Sequence, residues 1–159
     1  MYFSKVCCVE DKVCCIEDNE RMAVILERDI ERGKRAWLSW HEAALKICNS
    51  GIEQMQISSS VVQIAPADVA LAVRYSLHLL ENKAPGTGVE VRVAPWGAVK
   101  ILEGPASDPH NLTPPDVIEL DPEVWLRLSC GITSWNQEKQ AGNISACGER
   151  DDLSDILPL

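Results

Sequence analysis

The chain is poor in the features that announce chemistry. It has no G-x-S-x-G elbow, no phosphate-binding glycine loop and no dinucleotide fingerprint. Without these there is no recognisable catalytic centre, and the reading is non-enzymatic. Positive charge is also short: 15 Lys and Arg stand against 24 Asp and Glu, a formal net charge of −9. Binding to a phosphate backbone draws on clustered cations, so nucleic acid is excluded as a partner. The same balance opposes a simple electrostatic dock on anionic membranes. No apolar run is long enough to span a bilayer, so no transmembrane segment is expected. Glu10, Asp11, Glu17 and Asp18 interrupt the start of the chain, which therefore lacks the basic-then-apolar order of a secretory signal. A cytoplasmic location is the expectation. Phenylalanine occurs once while tryptophan occurs five times, a supply of bulk that suits either a filled core or a cavity wall.

What the chain does have is punctuation. Val89, Val91 and Val93 alternate with Glu90, Arg92 and Ala94, and Pro95-Trp96-Gly97 turns this strand into a second one carrying Val99 and Ile101 on one side and Lys100 and Leu102 on the other. Val117 to Leu120 reads as another strand. Asp121 is placed to accept N–H groups of the following turn, Pro122 suits the first helical position, and Gly131 ends a helix carrying Val124, Trp125 and Leu128 on one side. Ser134 with Gln137 is a capping-box pattern for a second short helix, which carries Trp135 and stops at Gly142. Ile144 and Ala146 then alternate with Ser145 and Cys147 as in a strand with one buried face, and Asp152 to Leu157 closes as a turn.

Upstream, residues 22–51 read as helical, with ERDIERGKR as a solvated lead-in and Trp37, Trp40, Ala44, Leu45 and Cys48 as the apolar stripe. Residues 52–65, with Ile57, Val61, Val62 and Ile64, are β-prone and predict an added strand. Pro66 and Asp68 open a helix to about Asn82, with Val69, Ala70, Val73, Leu77 and Leu80 on the core stripe and Arg74 and Glu81 opposite. His41 falls in a polar stretch and His78 reads as a hydrogen-bonded structural histidine. The loop 104–115 brings Asp108, His110 and Asn111 together, but one histidine and one aspartate make neither a metal set nor a triad.

Residues 1–21 stand apart. VCCVEDK is nearly repeated by VCCIEDN, placing Cys7, Cys8, Cys14 and Cys15 as two vicinal pairs. Such pairs lack the C-x-x-C separation that turns two sulfurs toward one ion, and a reducing compartment disfavours disulfides. The division is thus a Cys-rich, poorly ordered N-terminal extension over 1–21 and one domain over 22–159, with no metal and no cofactor. Cys48, Cys130 and Cys147 read as small apolar fillers.

The words VEVRVAPWGAVKILEGP at 89–105, TPPDVIELDPEVWLRLSCGITSW at 113–135 and AGNISACGERDDLSDILPL at 141–159 resemble the sterol carrier protein family, and its actinobacterial branch more than the animal lipid-transfer protein. The resemblance implies an α/β, SCP2-like sandwich: a mainly antiparallel sheet covered by helices around an apolar core or cavity. It implies carriage of a sterol, fatty acid or acyl lipid between the sheet and the C-terminal helices. By position the expected lining residues are Trp96, Val99, Ile101, Trp125, Leu128, Ile132, Trp135, Leu153 and Ile156. The alternative is an accessory or dimerisation module, without ligand, that partners a thiol-dependent enzyme or acyltransferase. A protein partner or a homodimer is therefore also carried as an expectation.

Overall fold

Pro66 sets the backbone for a first helical turn where its missing N–H costs nothing, and the apolar residues that follow recur at helical spacing. In the computed structural model, which describes residues 23–104 and 116–159, this becomes helix α2, Pro66–Lys83. It is the axis of the molecule. Before it comes α1, Ile30–Asn49, entered through a short 3-10 turn at Glu27–Asp29. After it come strands β1, Pro85–Val93, β2, Gly97–Ile101, and β3, Asp116–Leu120, then helices α3, Pro122–Ser129, and α4, Trp135–Gln140, and strand β4, Ile144–Cys147.

The strands form one open sheet in the order β2-β1-β3-β4. Both hairpin-type pairings, β1 with β2 and β3 with β4, are antiparallel, while the central pair β1 and β3 is parallel. The sheet is mixed in this sense, and the fold is the α+β arrangement expected. Its alternation is clean: Val89, Val91, Val93, Val99, Ile101, Ile118 and Leu120 are buried, whereas Glu90, Arg92, Lys100 and Glu119 lie on the opposite face. Helix α2 packs on β1 and β2 and also meets α1 and α3, so one layer of helices covers one face of the sheet. On the other face Arg92 pairs with Glu90 at 2.6 Å and with Glu119 at 3.1 Å.

One end of the sheet is tied together by a single guanidinium. Arg150 donates to Asp116 Oδ2 at 2.8 Å, to the Gly88 carbonyl at 3.0 Å and to the Glu103 carbonyl. Asp116 Oδ1 in turn accepts the Glu149 N–H at 2.8 Å. Desolvation raises the Asp116 pKa, but the hydrogen bonds from Arg150 and Glu149 outweigh it and hold this carboxyl below its ordinary value. Gly148, at φ +112°, is required here, because a Cβ would collide with the Asp116 carboxylate.

Four sequence expectations are corrected. Residues 52–65 form no strand: after a 3-10 turn at Gln54–Gln56, the carbonyls of Ser58 and Ser59 accept the N–H groups of Val62 and Ile64 at 2.9 and 3.1 Å. Those local bonds use the groups a ladder would need, and Gln63 adopts φ +57° within the turns. Leu45 is 45% exposed rather than part of the α1 core stripe, which consists of Ala36, Trp37, Trp40 and Ala44. Strand β4 is an edge in which only Ile144 is half-buried, so Cys147 is exposed rather than a core filler. The Asp121 side chain makes no capping bond; the Asp121 carbonyl instead receives the Trp125 N–H at 2.9 Å. The readings made for residues 1–21 and for Asp108, His110 and Asn111 lie outside the described residues.

Candidate apolar-ligand site

The residues expected to line a cavity fall into three groups. Val99, Ile101, Trp125 and Leu153 are buried in the core. Trp125 is fastened there by its indole N–H, which donates to Ser76 Oγ on α2 at 2.8 Å. Leu128, Ile132 and Trp135 are also buried, but at the margin of a groove of about 400 Å³ between the α3–α4 corner and the last turn of the chain. Gly131 at φ +70° makes that corner and packs under Pro158, and the Lys83 ammonium holds the Ile156 and Pro158 carbonyls at 2.7 and 3.0 Å. Ile156 itself is half-buried against the core. Trp96 stands alone, half-buried at the turn of the β1–β2 hairpin.

Trp96 is where the surface opens. It walls two neighbouring grooves at once, one of about 700 Å³ and one of about 370 Å³. The larger runs between the loop after α1 and the first turns of α2 and α3, over Met55, Ile64, Pro66, Val69 and Val124, with Ser59, Ser60 and Asn143 among its polar groups. The smaller lies between the lead-in to α1, the middle of α2 and the hairpin turn, against Val24, Ile25, Leu71 and Ala98. Asp121, Glu123 and Arg127 complete the lining, so the larger groove sets an apolar floor beside a polar margin, and its volume falls within the usual small-molecule range of about 300–1,000 Å³.

Glu123, Ser59 and Arg127, polar groups of the larger groove, are engaged. Glu123 Oε2 accepts both the Ser59 N–H at 2.7 Å and the Ser59 hydroxyl at 2.9 Å, and Ser59 Oγ receives the Trp40 indole N–H at 3.2 Å. Deeper, Arg127 and the wholly buried Glu138 form a paired fork at 2.7 and 3.2 Å. Arg127 also donates to the Ile57 carbonyl at 3.0 Å, and Glu138 accepts from Thr133 and Asn143, each at 2.7 Å. Desolvation pushes the Glu138 carboxyl up, but Arg127, Asn143 and Thr133 together bring it below the ordinary glutamate value. With both oxygens occupied by donors, this carboxylate has no lone pair directed at a substrate. Its work is to join α3, α4 and the loop after α1. Sequence reading missed both residues: Arg127 and Glu138 look like solvated charges on short helices, and nothing local signals their pairing.

Burial pushes the Cys130 thiol up to about 12, which keeps it protonated and unreactive at neutral pH. His78 meets Asn82 at 3.0 Å, and His41 lies 6.1 Å from Trp37, ring centre to ring centre. Among the described residues no cluster of His, Cys, Asp and Glu is placed to hold a metal, and no helix is long and apolar enough to cross a membrane.

No curated protein matches the chain. A family model described as bacterial SCP ortholog matches residues 65–159, more than half of the chain, running from the start of α2 through the whole sheet, α3 and α4 and leaving α1 before it. With a helix-covered mixed sheet and apolar grooves already in view, this match places the chain in the sterol carrier protein family, as a bacterial SCP ortholog.

Proposed function

We propose that this protein is a non-enzymatic carrier that binds an apolar ligand, a sterol, fatty acid or acyl lipid, in the grooves that meet at Trp96. The observation that carries the reading is the groove of about 700 Å³ with an apolar floor beneath a half-buried tryptophan. Family membership agrees with it. Of the two carboxylates that line this groove, Asp121 and Glu123, Glu123 is taken up in internal hydrogen bonds to Ser59, and a single remaining carboxylate without a histidine or nucleophile in the lining favours holding a ligand over transforming it. Val99, Ile101, Trp125 and Leu153, the lining residues expected between the sheet and the C-terminal helices, are buried in the core, whereas Trp96 is half-buried beside open grooves, which supports placing the ligand there.

Titration calorimetry and tryptophan fluorescence with a panel of sterols, fatty acids and acyl lipids test the proposal. Binding should carry a negative heat-capacity change from apolar burial. Trp96→Ala should weaken it about tenfold, in line with the loss of an aromatic wall worth about 1.5 kcal/mol or more. Failure of the wild-type protein to bind any member of the panel overturns the carrier reading. Unchanged binding by the folded Trp96→Ala variant, with weakening by Ile132→Asp instead, moves the site to the α3–α4 corner.

A further inference from the structure

Among the described residues, the buried and half-buried arginines other than Arg74 are paired with carboxylates, whereas the exposed Arg35 has no such pair. Arg92 engages two glutamates, Arg127 forks onto Glu138, Arg150 holds Asp116 and Arg32 reaches Asp29 at 2.9 Å. Arg74 is different. It is half-buried on α2, and its Nε donates to the Trp96 carbonyl at 3.0 Å. Its terminal guanidinium nitrogens have no hydrogen bond or ion pair with a carboxylate among the described residues. In a chain of net charge −9, a half-buried guanidinium without an acidic partner is out of pattern.

Its surroundings supply the rest. Arg74 lines the groove of about 370 Å³ whose other walls are Val24, Ile25, Leu71 and Trp96. The groove's one carboxylate, Asp29, is held by Arg32 and has Arg28 at 3.8 Å, so its charge is already answered. We propose that this groove receives the carboxylate of an amphipathic acid, with Arg74 as the anchoring cation and the apolar body of the ligand lying along Trp96 toward the larger groove. The proposal rests on the apolar-ligand reading and narrows it, from apolar molecules in general to those bearing an anionic head. A planar guanidinium with free N–H groups is geometrically matched to a carboxylate, and such charge-assisted bonds strengthen as water is excluded. A neutral alcohol head offers no opposite charge. The Nε bond to a backbone carbonyl fixes the fork before the ligand arrives, which lowers the ordering cost of binding.

The decisive comparison uses the full chain with dodecanoic acid and dodecanol, two probes of equal chain length that differ at the head. The wild-type protein should bind the acid about tenfold more tightly at low salt, the scale expected for a hydrogen bond to a charged group. Added salt should shrink that preference. Arg74→Gln should bring the acid down to the alcohol's affinity while leaving the alcohol unchanged, and Arg74→Lys should keep part of the preference. Equal affinity of the wild-type protein for acid and alcohol overturns the inference and leaves the carrier reading standing. Equal weakening of both probes by Arg74→Gln also overturns it, by showing a packing role. Binding of neither probe brings down the carrier reading and the inference together. Should Arg74→Gln fail to fold, the wild-type ratio and its salt dependence decide the matter alone.

Discussion

The α3–α4 corner and the hairpin turn at Trp96 each set tryptophan beside an arginine, yet they use them in opposite ways. At the corner the buried charges are matched: Glu138 has donors from Arg127, Thr133 and Asn143, and the Ser134–Gln137 capping box closes the helix start. The buried Trp135 indole N–H, which carries no charge, has no partner among the described residues. At the hairpin turn the matching stops short. Trp96 remains half-buried between two grooves and Arg74 keeps unused donors. Pairing of the buried charges makes a structural joint, whereas residual capacity beside apolar surface makes a place for something else to bind.

The difference can be broken from the corner first. Glu138→Ala leaves the Arg127 guanidinium buried without its carboxylate, and should cost about 3–5 kcal/mol, read as a lower urea midpoint at unchanged slope. A loss below about 1 kcal/mol would show that water reaches Arg127 and that the corner is not sealed. Acid probes the same point with less force. Glu138 and Asp116 both titrate below their ordinary values in the folded protein, so the stability they add is complete above the unfolded carboxylate range near about 4 and is lost as the pH falls through the lower folded values. Stability should therefore decline on acidification in that range, and Glu138→Gln should flatten the decline. An identical acid profile in the variant would move the linkage elsewhere. The smallest effect belongs to the hairpin turn. Trp96→Ala should change stability by no more than about 1 kcal/mol even where it weakens ligand binding, and a loss comparable with that of Glu138→Ala would make Trp96 a core residue.

Local signals were readable before the structure, and non-local ones were not. The valine alternation of β1, the capping box at Ser134 and the glycine stop at Gly131 each depend on residues within a few positions, and each appears where the sequence puts it. The parallel pairing of β1 with β3 has no local signature, since it depends on strands separated by the hairpin and the segment after it. Residues 52–65 misled because β-branched and apolar content was read without the alternation that a paired strand requires; Ile57 and Val62 are buried anchors of a turn-rich loop. Trp96 stood out as an aromatic at a turn. Arg74 did not, because helical spacing put it opposite the core stripe, and only the return of the hairpin over α2 half-buries it.

The Arg150 clamp bears on how the molecule breathes. It gathers the start of β1, the chain after β2 and the start of β3 at one end of the sheet, while Trp96 sits at the other, where β1 turns into β2. Hydrogen exchange should therefore be slow at Gly88 and Glu149 and faster around Trp96 and Gly97, where one bond from Arg74 to the Trp96 carbonyl is the side-chain tie described, because the sheet can part from its less fastened end without disturbing its register. Under the carrier proposal, a ligand enters and leaves by a local opening of the hairpin tip, a motion that costs far less than unfolding, while the fastened end preserves strand order.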